Sequence, residues 1–442
     1  MDKVPQGTVV LRRPAARAVS ALAALLAASM ALTGCRNAAD NNGQPSPGYL
    51  GAPIADRARL EKLQKAIREK HGLLLRRALQ ESAVYVKDSP ELTLALLARF
   101  PEFQGGIEED RFVAALGAAR GRSAEEVVRA YRNTTPERRI FFHRVFGRMG
   151  QSAQRVVTLL RHELISPETP SGDQMRIRVV LACAGAANTS EIDEIAKALV
   201  TPGKPQEESL VAMLAMGRNQ WVNDKIKRSL VAILDAQHAD PGNALSVGAG
   251  AGVAVMVLGT LGNEASADVQ GALANWFNRL SRQRAIGSGV AICALSLARV
   301  DPTLRHEALS AALSQDPEAE SEPLPRPLCD QFWTLLCIDI TDDACIRDVA
   351  SFLSSQPPLV SRRAAYTLSI IGPRARSAIA GLSQLVESAS EEKQGIAAAE
   401  ALGMVAMPED VPAIRQVSVK PSLPPHLKRA LEDSIRVIEL GG

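Results

Sequence analysis

From Arg362 to Val386 the chain reads RRAAYTLSIIGPRARSAIAGLSQLV. Ala364, Ala365, Leu368 and Ile371 recur at helical spacing, which puts them on one face of a helix. Gly372 lets the backbone leave that helix, and Pro373 suits the first turn of the next. Ile379, Leu382, Leu385 and Val386 form a second apolar stripe. The pattern predicts two helices joined by a tight corner. Neither can bury its apolar face alone.

The same frame recurs along the chain: a buried residue, a small or turn residue four positions on, and an apolar residue seven further. Leu368, Gly372 and Ile379 define it. Phe146, Gly150 and Val157 fit it, as do Leu181, Gly185 and Ile192; Leu258, Gly262 and Val269; and Leu335, Asp339 and Ile346. Looser members are Leu116, Arg120 and Val127; Ala215, Asn219 and Ile226; Leu295, Arg299 and His306; and Leu402, Ala406 and Ala413. The uneven intervals predict a helix-pair repeat with loops of variable length. "SPETPSGD" from Ser166, "TPGKPQEE" from Thr201 and "DPEAESEPLPRP" from Asp316 absorb the differences. Only 4% of residues are aromatic against 46% apolar, so the core must be built from Ala, Leu, Val and Ile. Such residues suit closely packed helices, and alternating strand patterns are scarce.

The phrase AAxxLxxxG followed by a second apolar helix resembles HEAT repeats, most clearly over 361–417 and also over 138–353. The variable spacing and few aromatics set it apart from tetratricopeptide repeats. The resemblance implies an all-α fold, a right-handed α-solenoid of HEAT-like helix-pair repeats. Such stacks bury a continuous core between neighbours and need covered ends. We expect a helical cap over 57–110, the repeats and a C-terminal cap helix within 111–442, and an elongated shape. Fold resemblance of this kind implies no single function.

The beginning of the chain has a different pattern. Arg12, Arg13 and Arg17 precede an uncharged run from Ala18 to Leu32. At about 1.5 Å per residue that run reaches ~22 Å, short of a ~30 Å hydrocarbon core. It reads as the apolar stretch of an export signal. The run ends in Leu32-Thr33-Gly34-Cys35, which resembles the bacterial lipobox. The resemblance implies a signal peptide over 1–34 and an acylated Cys35 at the mature N-terminus. Residues 35–56, rich in Asn, Gly, Pro, Ser and Ala, then form a flexible tether. Arg36 follows the cysteine where the familiar inner-membrane retention signal has Asp. The expected location is therefore the outer membrane facing the periplasm in a two-membrane cell, or otherwise the outer face of the plasma membrane.

Removing the signal changes the charge. The whole chain has 51 basic and 48 acidic residues; Lys3, Arg12, Arg13, Arg17 and Asp2 leave with the first 34, and 47 of each sign remain. A neutral mature chain argues against nonspecific nucleic-acid binding.

Little in the rest suggests chemistry. The six histidines lack metal-binding spacing, and the pairs His162-Glu163 and His306-Glu307 lie in non-adjacent repeats. The di-iron HEAT-repeat enzyme deoxyhypusine hydroxylase uses several such pairs in symmetric repeats; two pairs this far apart cannot share a metal. No metal or cofactor is expected. The glycine-rich run from Val247 lacks the end of a phosphate loop, and Gly250 and Gly252 are expected to let helices approach. Among the cysteines after Cys35, Cys337 and Cys345 flank a helix corner and are the pair a disulfide would join; small buried thiols are the alternative. Arg138, Arg139, Arg176, Arg178, Arg362 and Arg363 stand near the starts of first helices, either as solvated ends or as a stripe for an acidic partner. The expected protein is a lipid-anchored envelope scaffold or protein-binding module without catalytic activity. It would touch the membrane through its N-terminal lipid and bind a protein of unknown identity. A HEAT-like lyase or accessory enzyme subunit, resembling the bilin-lyase relatives, and a purely structural envelope protein are the alternatives.

Overall fold

The computed structural model describes residues 57–102, 106–216, 222–238, 249–282, 288–315, 333–334, 336–338, 340 and 342–440. The expected signal peptide, Cys35 and tether lie outside these residues, as do Leu335, Asp339 and the loop from Asp316. Among the described residues 84% are helical and no strand occurs. No helix among them is long and apolar enough to cross a membrane.

Among the described residues twenty-one α-helices follow one another. They are α1 (Arg57–Glu69), α2 (Gly72–Tyr85), α3 (Pro90–Arg99), α4 (Gly106–Gly117), α5 (Gly121–Arg132), α6 (Arg139–Met149) and α7 (Val157–Leu164). Next come α8 (Ser171–Cys183), α9 (Thr189–Val200), α10 (Lys204–Met216), α11 (Asp224–His238), α12 (Ala249–Gly259), α13 (Ala267–Arg282) and α14 (Ser288–Val300). The last are α15 (Arg305–Ser314), α16 (Asp343–Ser351), α17 (Pro358–Ile371), α18 (Ile379–Ser388), α19 (Glu392–Val405), α20 (Val411–Ser418) and α21 (Pro425–Ile438).

The sequence frame is built as its spacing predicts. Phe146, Leu181, Leu258 and Leu368 are fully buried near the ends of α6, α8, α12 and α17. The glycine four residues after each has positive φ: 55° at Gly150, 68° at Gly185, 56° at Gly262 and 72° at Gly372. A side chain with a Cβ resists that conformation, so the glycine ends one helix and lets the chain turn back.

Helices pack in two rows. In the first, α2 lies on α4, α4 on α6, α6 on α8, α8 on α10, α10 on α12 and α12 on α14; later α17 lies on α19 and α19 on α21. Short helical pieces at 333–334 and 336–338 bridge the two stretches. Arg299 of α14 donates to the Leu336 carbonyl at 3.0 Å, and Trp333 Nε1 donates to Thr367 Oγ1 of α17 at 3.2 Å. In the second row, α1 packs on α3, α3 on α5, α9 on α11 and α11 on α13. The segment 57–110, expected as a cap, follows the same neighbour-on-neighbour rule.

The two rows differ in chemistry. Every residue of α6 from Phe141 to Met149 is buried, and so is every residue of α14 from Val290 to Val300. By contrast, α5 buries Ser123, Ala124, Val127, Val128 and Tyr131 and leaves its other face to solvent. A helix buried on every side needs neighbours on every side; α6 has α4, α8 and α10 among its own.

This corrects the expectation of an elongated stack with separate ends. Helix α21 packs against α2, and α2 reaches further helices of the C-terminal region. Arg77 of α2 donates through Nη1 to the Met404 carbonyl and through Nη2 to the Ala406 carbonyl, the latter at 2.9 Å. Gln80 Nε2 donates to the Ile370 carbonyl at 2.8 Å. The contacts run in opposite order along the chain: α2 and then α4 face the end of α19, the end of α17 and then Ile338. The physical reason is burial. Two stretches of the first row that meet remove from water the apolar surface an open stack would leave exposed.

Candidate functional site

Arginines, buried at Arg77 and Arg99 and half-buried at Arg161 and Arg363, end neighbouring helices in this fold. Arg77 caps α19 as just described. Arg99 of α3 donates to the Ile67 and Arg68 carbonyls near the end of α1. Arg161 reaches the Ala186 carbonyl after α8, and Arg363 the Ala312 and Gln315 carbonyls at the end of α15. A helix C-terminus presents unpaired carbonyls at the negative end of its dipole, and a guanidinium satisfies both the hydrogen bonds and the charge. Arg77 is fully buried, and desolvation lowers its pKa while Glu81 beside it opposes that shift. Glu81 is also held by Arg59 through two 2.6 Å bonds.

Most of the six arginines near first-helix starts are engaged within the chain. Arg139 pairs with Glu163 at 3.6 Å, Arg176 with Asp173, and Arg178 with Glu194 at 2.5 Å. Arg363 also stacks over the Trp333 ring, 4.7 Å from its centroid. Arg138 stands exposed and Arg362 half-buried, neither with an ion pair among the described residues. Arg139 and Arg176 both lie near enough to His143 to lower its pKa.

The group closest to chemistry was not visible as a motif. Tyr131 of α5 donates to Glu163 of α7 at 2.5 Å, and its oxygen lies 3.2 Å from His143 Nε2 of α6. With the Tyr131 proton given to Glu163, the His143 contact requires Nε2–H as donor. His143 Nδ1 is then the bare nitrogen, and it is buried without a donor. Burial first, then the charges of Arg176 and Arg139, push the His143 pKa down to about 3, so the ring is neutral. Burial and the bond to Glu163 raise the Tyr131 pKa. Phe142 and Phe146 pack on the Tyr131 ring, and both Tyr131 and His143 are closed off from solvent. The cluster can hold three helices in register; it offers no open face to a substrate. Its only sequence trace was Glu163 in a His-Glu pair, where the partner proved to be Tyr131, 32 residues away.

Cys183, Cys293, Cys337 and Cys345 are all buried and unbridged. Burial raises the pKa of Cys337, and that of Cys345 to about 11, and the two thiols are close enough to influence each other. Among the described residues no group of three or more His, Cys, Asp and Glu is placed to hold a metal ion.

No protein-family model and no curated protein matches this chain. Solved structures do match. One is the crystal structure of an engineered protein, 15% identical, covering 87% of this chain and 99% of its own, with a TM-score of 0.25.

Proposed function

We propose that the protein is a lipid-anchored cell-envelope scaffold, a right-handed solenoid-type stack of HEAT-like helix pairs that binds a protein partner and performs no catalysis. What carries the reading is the contrast between the two rows. The chemistry-bearing groups Tyr131, His143 and Cys293 are sealed in or beside the first row, while the second-row helices keep a solvent face. A partner meets that outer row, or the edge where first helices begin. There Arg138 and Arg362 are the side chains left for an acidic partner, while Arg139, Arg176, Arg178 and Arg363 already have contacts within the chain. The uncharged run to Leu32 and the Leu-Thr-Gly-Cys sequence support acylation of Cys35.

The test has two arms. Fatty-acid labelling of cells should mark the wild type and leave the Cys35→Ala variant unmarked; equal labelling would refute the anchor. Partners crosslinked to the anchored chain in intact envelopes should be lost from Arg138→Glu with Arg362→Glu. Crosslinking unchanged by the double substitution would remove the arginine edge from the proposal.

A further inference from the structure

The second row is unevenly charged. At its N-terminal end α1, α3 and α5 pack side by side. Many of their charges are paired: Arg57 with Glu61, Arg59 with Glu81, Arg99 with Glu102, Arg129 with Glu126 and Glu125 with Arg155. Lys62, Lys65 and Arg68 on the exposed side of α1, Lys70 just after it, and Arg122 and Arg132 on α5 have no ion pair among the described residues. In these three helices only Glu69 and Glu91 stand unpaired against them. Six cations against two acids leave an excess of four positive charges. Leu94 of α3, the helix between α1 and α5, is 50% exposed.

Other second-row helices lack this excess. In α9, α18 and α20 the acids Glu191, Asp193, Glu194 and Glu387 are all paired, as is Arg415, and Lys197 alone has no partner among the described residues. The excess therefore sits at one end of the row. That is the end where the expected tether, residues 35–56, enters the fold at Arg57. At ~3.4 Å per residue a chain of that length cannot carry α1 more than about 75 Å from an anchored Cys35. Lys62, Lys65 and Arg68 follow one another at three-residue spacing, where like charges repel, and a counter-charged surface relieves that repulsion.

We propose that the face formed by α1, α3 and α5 lies on an anionic lipid surface, the membrane that anchors the chain, with Leu94 at headgroup level. The proposal rests on the anchored reading for the nearness of that membrane and adds which side of the fold meets it. Neighbouring helices lie about 8–10 Å apart, so cations on α1 and α5 are spread over a broad face. Such an array fits many headgroup phosphates better than one small ligand. Each Lys or Arg near an anionic bilayer strengthens the attraction roughly fivefold. The anchor already holds the body at the surface, so this attraction needs only to orient it.

The test uses the full chain extracted from cell membranes and reconstituted in vesicles of phosphatidylcholine, alone or mixed with phosphatidylglycerol. A water-soluble acylating reagent labels exposed lysines, and peptide mass spectrometry reads each site. Lys62 and Lys65 should label about fivefold more slowly on the anionic vesicles than on the neutral ones, while Lys197 labels equally on both. About 1 M salt, which screens charges within ~3 Å, should remove the difference. Replacing Arg68, Arg122 and Arg132 together by Glu keeps the reporting lysines and should abolish their protection. Equal labelling of Lys62 and Lys65 on the two kinds of vesicle would overturn the proposal, as would protection of Lys197 equal to theirs. Polyglutamate that protects Lys62 and Lys65 on neutral vesicles as well as anionic lipid does would give the face to an acidic protein, and would also overturn it. Should the triple variant not fold, the lipid and salt comparisons on the parent chain decide by themselves. The mass of the Cys35 peptide reports the anchor separately. If Cys35 carries no lipid, the anchored reading fails, and the same labelling on the dissolved chain with each kind of vesicle added still decides the surface by the same outcomes.

Discussion

The corners at Gly150 and Gly372 have the same local geometry and different surroundings. Both follow a buried first-row helix, both have positive φ, and both open a 3-10 turn into the next helix, α7 or α18. A Cβ on Gly150 would meet nothing closer than the Cys183 carbonyl at 3.6 Å, an ordinary contact. A Cβ on Gly372 would collide with the Gln80 amide, with Cδ at 2.8 Å. The first corner has one requirement, a left-handed backbone. The second has that and also the close approach of a helix nearly three hundred residues earlier. One local motif therefore serves two roles, and only tertiary contact distinguishes them.

The largest effect expected is at Leu368, fully buried beside the Gly372 corner. Leu368→Ala should cost about 2–5 kcal/mol by lost burial and a cavity, measured by denaturant unfolding. Because α17 also faces α2, the transition should stay single rather than split into an early C-terminal and a late N-terminal step. Arg77→Met comes next. It leaves the Met404 and Ala406 carbonyls without their donor while Glu81 keeps Arg59, and should cost about 1–3 kcal/mol. Glycine-to-alanine changes separate the two corners. Gly150→Ala should cost about 1–2 kcal/mol for the backbone alone, and Gly372→Ala about 0.5–1.5 kcal/mol more, because the flexible end of Gln80 can move aside but loses its bond to the Ile370 carbonyl. Equal losses would mean the Gln80 contact contributes nothing.

A further effect is one of pH. His143 titrates at about 3 in the fold, below the ~6.5 of an exposed imidazole, so the unfolded chain takes up this proton first. Stability held by the neutral ring is complete above pH ~6.5 and falls as pH drops toward about 3. His143→Gln should be less stable at pH 7 yet lose stability less steeply over that window, by up to one proton's worth of slope, or ~1.4 kcal/mol per pH unit. An unchanged acid limb in pH-dependent unfolding would contradict a buried neutral histidine.

The sequence made the corners legible because their causes are local. Glycine spacing marked Gly150, Gly185, Gly262 and Gly372, and the apolar stripes marked Phe146, Leu181, Leu258 and Leu368. The turning back of the first row was not visible, and the sequence reading expected an elongated stack. The bonds of Arg77 and Gln80 to α19 and α17 left no mark, since an arginine or glutamine on an amphipathic helix reads as solvated. The Tyr131, His143 and Glu163 cluster joins three helices, and no spacing within one helix encodes it.

The central claim is that α2 is held by the C-terminal corner and not only by its chain neighbour α4. Native-state hydrogen exchange across Gly72–Tyr85, compared between Gly372→Ala and Gly150→Ala, tests it directly. The account predicts that α2 loses protection in Gly372→Ala and keeps it in Gly150→Ala, although the second substitution is closer in sequence. Equal protection of α2 in the two variants, with the Gly372→Ala losses confined to α17–α21, would show an open stack whose ends do not meet.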